Sequence, residues 1–443
     1  MRNPTSGAPW AAAVERAAGV FDSLAAGRRR PWRRGRKLAF VSPLPPIASG
    51  VADYSAGLLE ALAPAAASEA PGISIDCFGD GLNRVPAGFP PLEPTVTDAR
   101  RFAESDARRG GYERVVYVLG NSEYHGRALA ALWHRRGIVI VHDVNLTGLL
   151  KYSSEVPGAV PGGLAGASLG NGDELPAPFD TTAARGDEPL VEPGRFLREI
   201  VGRAELLLVT SEAARRLAAA QVGPDLALRL RVMPFAMALD RDELEAVDAA
   251  RGSGEGPLVA TFGIVDPSKM PEVLLQAVAM IAEEPKLRVA FVGPISASLA
   301  SELAGRAAAL GLGERVEVVG QVERSVYLDH LGRATVAVQL RRGFGGEASA
   351  AVGDCLAAGV ATVVSDLGWM AELPEDCVLR VDSACPAAAV HLAEALRALL
   401  RDGRRRAELS RRAAEYAAGQ TFARSAEAVV DALGLSALTP ASP

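Results

Sequence analysis

A glycine-rich stretch at residues 343–349 combines residue types that can bind an anionic ligand bearing hydroxyl groups. It holds three glycines together with Glu347 and Ser349, and a helix of small residues is predicted to follow. Free backbone amides at the start of such a helix can bind a diphosphate. A glutamate carboxylate can accept hydrogen bonds from sugar hydroxyls, and Asp354 follows two turns later. The alternative interpretation is a flexible glycine loop without a ligand.

Positively charged side chains accompany this stretch and one earlier loop. Arg341 and Arg342 directly precede the glycines, and either could add charge. Lys269 closes a loop, 262–269, that joins an apolar strand to a predicted helix. A cation at a helix N-terminus is unfavourable unless an anion binds there too. Lys269 therefore indicates a phosphate site, the alternative being an exposed lysine on a turn.

The first half of the chain has its own candidates, each placed after an apolar strand. Residues 43–50 form a proline-rich loop that ends at Gly50, before a predicted helix. Polar residues 120–125 follow the third apolar run, and His142, Asp143 and Asn145 follow the fourth. Ligands of open α/β sheets bind outside the carboxyl ends of strands. The alternatives are a rigid turn for residues 43–50 and a structural, hydrogen-bonding role for His142.

Several other patterns do not indicate chemistry. Residues 166–170 match a nucleophile elbow, but no strand precedes them, so we interpret the match as chance. The acidic pair Asp240 and Asp242 precedes a helical pattern and favours a helix cap over a metal site. Dinucleotide-binding, P-loop and zincin motifs are absent from the sequence, which argues against a dehydrogenase, a P-loop NTPase and a zincin.

Short, nearly continuous apolar runs predict the elements that position these candidates. Such strands are buried on both faces, as in parallel sheets covered by helices. Helical patterns lie between most of them, which predicts an α/β fold with two doubly wound, Rossmann-like domains. The predicted strands are 37–42, 73–78, 114–119, 138–142, 206–210 and 231–233 in the first half, and 257–262, 287–292, 316–319, 335–340, 360–365 and 378–381 in the second.

Composition changes along the chain predict the domain boundaries. A basic N-terminal arm covers 1–36, and a first Rossmann-like domain covers 37–240, with an irregular insert at 156–192 rich in Gly and Pro. A linker at 241–256 leads to the second Rossmann-like domain at 257–415, and a C-terminal helix and tail cover 416–443. The arginine run in the arm favours a solvated segment, with contact to anionic lipid head groups as the alternative.

The overall composition is that of a globular chain of 443 residues, with 49 % hydrophobic and 23 % charged residues. The net charge of −6 argues against nucleic-acid binding that is driven by the overall charge of the protein. The four cysteines show no CxxC spacing, so neither a zinc site nor a redox pair is predicted. Apolar runs of membrane-spanning length and a secretory signal are lacking. We therefore expect a cytoplasmic protein, with peripheral contact at the inner membrane face through the arm as an open alternative.

Taken together, the segments at 45–55, 120–122 with 142–143, 263–269 and 346–359 resemble the family 4 glycosyltransferases over roughly residues 37–435. The resemblance implies a GT-B architecture, with two Rossmann-like domains facing a central cleft. It implies a retaining, metal-independent hexosyltransferase that uses a nucleoside diphosphate sugar as donor substrate and no cofactor. The acceptor would carry a hydroxyl group on a glycan, a lipid-linked compound or a small molecule, in glycan or glycoconjugate synthesis.

The resemblance also implies roles for individual residues. Lys269 would bind the donor diphosphate, Glu347 would contact the donor sugar, and Asp354 would stand at the position of a ribose-binding glutamate. His142 would line the cleft near the reacting carbon and, with Glu347 and Lys269, form the catalytic set. The donor-binding set is Gly50, Gly263, Lys269, Arg341, Gly346, Glu347, Ala348, Ser349 and Asp354. The acceptor-side set is Ser49, Asp53, Tyr54, Asn121 and Asp143.

Two departures from the family pattern keep other functions open. Ile264 stands where the family commonly has an arginine, and Glu347 and Asp354 are seven positions apart where the family's two glutamates are eight apart. A catalytically weak, GT-B-like binding protein is one alternative. A nucleotide-sugar epimerase, which would change the sugar without an acceptor, is the other.

Overall fold

The computed structural model describes residues 37–47, 49–79, 96–108, 111–153, 156, 159, 193–237, 239–254, 256–281, 284 and 286–435. The predicted arm 1–36 and all but two residues of the predicted insert 156–192 lie outside these ranges. The chain divides into two compact units. The first unit comprises Met1–Phe235, Gly345–Ala348 and Phe422–Pro443, and the second unit comprises Ala236–Phe344 and Ser349–Thr421.

The first unit is built on a seven-stranded parallel sheet with the order β3-β2-β1-β4-β5-β6-β7. Six of the strands match the predicted apolar runs to within one or two residues at each end. The edge strand β3 was not predicted, because only one of its three residues, Val96, is apolar. The strands are β1 (Lys37–Val41), β2 (Ser74–Gly79), β3 (Val96–Asp98), β4 (Arg114–Leu119), β5 (Ile138–Val141), β6 (Leu206–Val209) and β7 (Leu230–Val232).

Helices lie in the connections between the other strands, as a parallel order requires, whereas the connection between β2 and β3 lies outside the described residues. The first and last described helices of the unit pack on each other, and a Cβ atom at Gly57 would lie 2.6 Å from the Phe422 ring, so this close approach requires glycine. The helices are α1 (Gly50–Glu69), α2 (Phe102–Arg108), α3 (Gly126–His134), α4 (Thr147–Ser153), α5 (Pro193–Arg203), α6 (Glu212–Val222), α7 (Pro224–Ala227) and, at the end of the chain, Phe422–Leu433.

Two arginines close the C-terminal ends of α3 and α5 reciprocally. Arg203, the last residue of α5, donates to the carbonyl oxygens of residues 132–134 at 2.9–3.2 Å. Arg136, just after α3, donates to the carbonyl oxygens of residues 202–204 at 3.0–3.4 Å. The last carbonyls of a helix have no partner within it, and they attract cations. Each guanidinium therefore stabilises the end of the neighbouring helix.

The second unit has a six-stranded parallel sheet with the order β10-β9-β8-β11-β12-β13. Residues that alternate along the strands belong to two separate hydrophobic clusters: Val259 packs in one and Ala260 in the other. Both faces of the sheet are thus covered, which explains the continuous apolar runs. The strands are β8 (Leu258–Phe262), β9 (Arg288–Val292), β10 (Val316–Gly320), β11 (Val336–Gln339), β12 (Thr362–Ser365) and β13 (Leu379–Val381).

The helices of the second unit begin before its first strand. Residues 241–256, predicted as a linker, contain α8 (Arg241–Ala250), and the division between the units falls earlier, after Phe235. Asp240 caps this helix in a capping box with Glu243, which confirms its interpretation as a cap. The remaining helices are α9 (Pro271–Ala279), α10 (Ala297–Ala309), α11 (Arg324–Arg333), α12 (Ala350–Ala357), α13 (Ala388–Arg401) and α14 (Gly403–Ala418), and the helix Phe422–Leu433 of the first unit is α15.

None of the helices in the described ranges is both long enough and apolar enough to span a bilayer.

Candidate functional site

The loop after β1 presents its predicted site residues at the start of α1. Ser49 caps the helix by accepting a hydrogen bond from the Ala52 amide at 3.4 Å. A Cβ atom at Gly50 would meet no other atom within 4 Å, so the space beside this residue is open. Asp53 lies exposed in the first turn, where a carboxylate interacts favourably with the helix dipole. This loop end is therefore accessible at three of the predicted positions.

Tyr54, another predicted acceptor-side residue, is buried. Its ring stacks on Phe235 with centroids 5.1 Å apart, and it meets His142 and Phe422 edge-on at 4.9 and 5.0 Å. Its hydroxyl lies 3.4 Å from the Ser425 hydroxyl. The structure thus places Tyr54 as a packing partner of His142, with little of its ring accessible to a ligand.

His142 is buried at the end of β5, close to a second buried histidine, His125. Burial, and to a smaller extent the nearby His125, lowers the pKa of His142 to about 3. Burial likewise lowers the pKa of His125 to about 4. Both rings are therefore neutral near pH 7. The Nε2 atoms of both have no hydrogen-bond partner among the described residues.

The tautomer of His125 follows from its one hydrogen bond. Its Nδ1 lies 3.1 Å from the Val118 carbonyl oxygen, which can only accept, so Nδ1 carries the proton. Nε2 of the neutral ring is then an acceptor. A Cβ atom at Gly120 would lie 2.8 Å from this Nε2, so only glycine fits beside it.

Asn121 and Asp143 join the ends of β4 and β5. The Asp143 carboxylate accepts a hydrogen bond from the backbone amide of Asn121 at 3.1 Å. The side-chain oxygen of Asn121 accepts one from the backbone amide of Leu149, also at 3.1 Å. These bonds hold the two strand ends and α4 together. Both predicted residues therefore have structural hydrogen bonds at the edge where we expected a ligand.

The glycine-rich stretch contributes residues 345–348 to the first unit. The Gly345 carbonyl accepts from the amides of Val144 and Asn145, both at 2.8 Å. Gly346 has a φ of +96°, and a Cβ atom there would lie 2.4 Å from the Val144 side chain. Glu347 is half-buried, and its carboxylate accepts from the Gly345 amide at 2.8 Å. Tight backbone packing thus brings Glu347 and Ala348 to the part of the chain that directly follows His142.

In the second unit, the loop after β8 has the predicted glycine and lysine. Gly263 has a φ of +85°, and its amide donates to the Val292 carbonyl at 3.0 Å. Lys269 ends a short 3-10 turn that Asp266 caps and that directly precedes α9. Ile264 is 62 % exposed in the same loop. The lysine therefore lies near the helix start, in a loop that also exposes an apolar side chain.

The two arginines before the glycine-rich stretch have different surroundings. The backbone of Arg341 donates to the Ser365 hydroxyl and accepts from the Ser383 hydroxyl, both at 2.8 Å, which fixes it at the carboxyl edge of the second sheet. The guanidinium of Arg342 forms an ion pair with Glu272 at 2.6 Å. The guanidinium of Arg342 therefore already has a carboxylate partner.

Ser349 and Asp354 lie on α12. Ser349 caps the helix by accepting from the Val352 amide at 3.4 Å. Oδ2 of Asp354 accepts from the Tyr327 hydroxyl at 2.9 Å and from the Arg324 guanidinium at 3.2 Å. Burial raises the pKa of Asp354, although both donors act in the opposite direction. Arg324 is also bound to Glu243, at 2.8 Å.

Arg324 and Tyr327 are functional candidates that sequence reasoning missed. They stand three residues apart at the start of α11, so they share a helix face. Their types and spacing match no motif, and only the folded chain shows that both contact Asp354. Separately, within the part of the chain that the structure describes, no group of three His, Cys, Asp or Glu side chains is arranged to hold a metal ion.

Comparison with known proteins relates this geometry to a family. Residues 245–418, which belong to the second unit except for Gly345–Ala348, match the family described as glycosyl transferases group 1. A search of curated protein sequences gives no significant match.

Solved structures show the same fold over almost the whole chain. Sucrose-phosphate synthase from Thermosynechococcus elongatus is similar, with a TM-score of 0.64, 19 % identity, and coverage of 91 % of this chain and all of that one. Anabaena HepE in complex with UDP-glucose has a TM-score of 0.56 and 15 % identity, covering 89 % of this chain and 98 % of that one. WaaG, a glycosyltransferase involved in lipopolysaccharide biosynthesis, has a TM-score of 0.54 and 14 % identity, covering 89 % and 99 %. The chain therefore has the GT-B fold, with two Rossmann-like units, as predicted.

Proposed function

We propose that this protein is a glycosyltransferase that moves a sugar from a nucleoside diphosphate donor to a hydroxyl acceptor, with retention of configuration at the anomeric carbon. The observation that carries the proposal is the match of residues 245–418 to group 1 glycosyltransferases. The likeness to HepE, solved with UDP and with UDP-glucose, supports a nucleoside diphosphate sugar as donor. The likeness to WaaG favours a glycan or glycolipid acceptor.

The charges of the second unit suit a departing diphosphate. In the proposed reaction the bond between the anomeric carbon and the diphosphate breaks, and the sugar becomes oxocarbenium-like. Lys269, Arg341 and the amides at the start of α12 would stabilise the negative charge that develops on the diphosphate. The acceptor hydroxyl would attack from the same face and give its proton to a departing phosphate oxygen. The step balances without a metal ion or a cofactor.

The first unit would supply hydrogen-bonding groups. His142 is neutral because its pKa is about 3, so it would orient a sugar hydroxyl rather than donate a proton as an imidazolium. Glu347 would accept hydrogen bonds from the donor sugar. Ser49, Gly50 and Asp53 lie at an accessible helix start and would contact the acceptor or the phosphates.

Donor turnover by Lys269→Ala and Glu347→Ala tests the proposal. We expect each variant to lower the transfer rate by about 100-fold or more, the usual effect of losing one group that stabilises developing charge. Lys286→Ala and Glu302→Ala, exposed residues on other parts of the second unit, are the matched controls and should keep the wild-type rate. The reaction is followed by release of nucleoside diphosphate, and the anomeric configuration of the product is read by NMR.

If both site variants kept the wild-type rate, the site assignment would be wrong. An inverted product would contradict retention, and a changed sugar formed without an acceptor would indicate an epimerase.

Ile264 favours a second candidate function, binding without transfer. Its exposed apolar side chain stands where the resemblance places an arginine, and Arg342, one candidate replacement, is paired with Glu272. One phosphate contact would then be missing. Calorimetry with a panel of nucleotide sugars discriminates: tight binding without product in the presence of many acceptors would support this alternative.

A further inference from the structure

The carboxylate of Asp354 is held by one of its two oxygens. Two donors, the Tyr327 hydroxyl at 2.9 Å and the Arg324 guanidinium at 3.2 Å, both bond to Oδ2. A carboxylate normally rotates over a broad range about its last bond. Two donors on the same oxygen remove that freedom, so the direction of Oδ1 is set as well.

The two donors are themselves fixed by neighbouring elements. The Arg324 guanidinium donates to Glu243 at 2.8 Å, and the Glu243 carboxylate also accepts from the Asp240 amide in the capping box of α8. The guanidinium lies over the Tyr327 ring, 4.9 Å from its centroid, and that ring meets Phe262 edge-on. The group thus forms a rigid support drawn from β8, α8 and α11.

Oδ1 remains available to a ligand. The side chain of Asp354 keeps about 20 % of its surface exposed, and Oδ1 accepts no hydrogen bond from the described residues. On the same face of α12, one turn earlier, Ala351 lies 3.3 Å from where a Cβ atom of Gly263 would be. The carboxylate is therefore one helical turn away from the loop that holds the candidate diphosphate site.

We propose that Arg324 and Tyr327 are positioning residues that orient Oδ1 of Asp354 to accept a hydrogen bond from the ribose hydroxyls of the nucleoside diphosphate. The inference rests on the proposed function, because it requires a nucleotide in the second unit. Aspartate is one methylene shorter than glutamate and has less reach. A fixed orientation compensates for this by lowering the entropy lost when the ribose binds.

A coupling between a protein change and a ligand change tests the inference. UDP, ADP and GDP are first titrated against the full-length wild type by calorimetry, and the tightest one is compared with its 2′,3′-dideoxy form. In Tyr327→Phe, we expect the Kd of the ribonucleotide to rise about 3- to 10-fold, the size of one hydrogen bond. The Kd of the dideoxy form should stay at the wild-type value, because it lacks the hydroxyls.

The matched control is Tyr112→Phe, which removes the same kind of bond in the first unit, from the Tyr112 hydroxyl to Asp76 at 2.9 Å. It should leave both Kd values unchanged. Arg324→Lys keeps the charge but loses the bridge to Glu243, and it should reduce discrimination between the two ligands as Tyr327→Phe does. An equal ratio of the two Kd values in wild type and Tyr327→Phe would overturn the inference and leave the proposed function intact. No binding of any nucleoside diphosphate to the wild type would overturn both.

Discussion

Burial changes the chemistry of two histidines that sequence alone presents as ordinary titrating groups. His125 and His142 both lie at the carboxyl edge of the first sheet, and burial is the main cause that lowers their pKa values from 6.5 to about 4 and about 3. A histidine at the end of a strand suggests acid–base chemistry when only the sequence is known. The surrounding apolar residues instead make both rings neutral hydrogen-bonding groups near pH 7.

The depressed pKa of His125 predicts how stability depends on pH. Between about pH 6.5 and 4 the unfolded chain binds a proton at this residue and the folded chain does not, so stability is lost as the pH falls through that range. For His125 alone the loss from pH 7.5 to 5 is about 2 kcal/mol. In His125→Asn, which keeps a donor for the Val118 carbonyl, we expect a smaller difference in the free energy of unfolding between the two pH values.

Urea unfolding at pH 7.5 and 5 measures this difference. His391→Asn, a partly exposed histidine in the second unit, serves as the control and should keep the wild-type difference. An unchanged difference in His125→Asn would mean that His125 titrates normally in the folded protein.

At the scale of elements, two loops of the second unit support each other through their backbones. Gly293, after β9, has a φ of +143°, and its amide donates to the Gly320 carbonyl at 2.9 Å. A Cβ atom at Gly293 would lie 2.0 Å from the Gly263 carbonyl oxygen. The loop that ends in Lys269 therefore depends on a neighbouring loop in which sequence reasoning singled out no glycine.

This contact predicts a large effect of Gly293→Ala. The added methyl group overlaps the Gly263 backbone, which cannot move aside as a flexible side chain could, and the φ itself is unfavourable for alanine. We expect a loss of about 3 kcal/mol or more in the free energy of unfolding of the second unit, together with weaker nucleotide binding. Gly311→Ala isolates the backbone strain, because Gly311 has a φ of +69° but open space around its Cβ position. Gly311→Ala should lose only about 1 kcal/mol in the free energy of unfolding. Equal losses in the two variants would contradict the overlap of the added methyl group with the Gly263 backbone.

At the scale of the whole molecule, the chain passes from the first unit to the second and returns. The final helix α15 belongs to the first unit, although it is more than 180 residues from Phe235, where the first passage ends. Phe235 and Phe422, the residues next to the two passages, both contact the Tyr54 ring. The first unit therefore includes α15 in its packing, and we expect the stability of this unit to depend on that helix.

Phe422→Ala tests this dependence. The substitution removes the Phe422 ring, which contacts Tyr54 and occupies the space beside Gly57. We expect a loss of about 2–4 kcal/mol in the free energy of unfolding of the first unit. Hydrogen exchange should become faster in the strands β1 and β2 and stay unchanged in the strands of the second unit. Leu392→Ala, at a buried position of α13, should give the reverse pattern. Faster exchange in the second unit alone would contradict the assignment of α15.

The local sequence determined most of the elements and the class of the fold. Short apolar runs of three to six residues identified twelve of the thirteen strands, because strands buried on both faces need mostly apolar side chains. Glycine and capping residues also marked the loops at 43–50, 263–269 and 343–349. The edge strand β3 is the main difference, because only one of its three residues is apolar. The helical pattern after Asp240 was recognised, but the stretch 241–256 was assigned to a linker, whereas α8 belongs to the second unit.

Only the tertiary structure decided which side chains act together. Asp354 contacts Arg324 and Tyr327, Arg342 contacts Glu272, and Tyr54 packs against His142. The partners in these pairs lie on different elements and are 27 to 88 positions apart in the sequence. Hydrogen bonds and burial depend on distances of a few ångströms in space, and sequence spacing specifies such distances only within one helix or strand. The types of the candidate residues were therefore readable from the sequence, whereas their partners and pKa values followed from the fold.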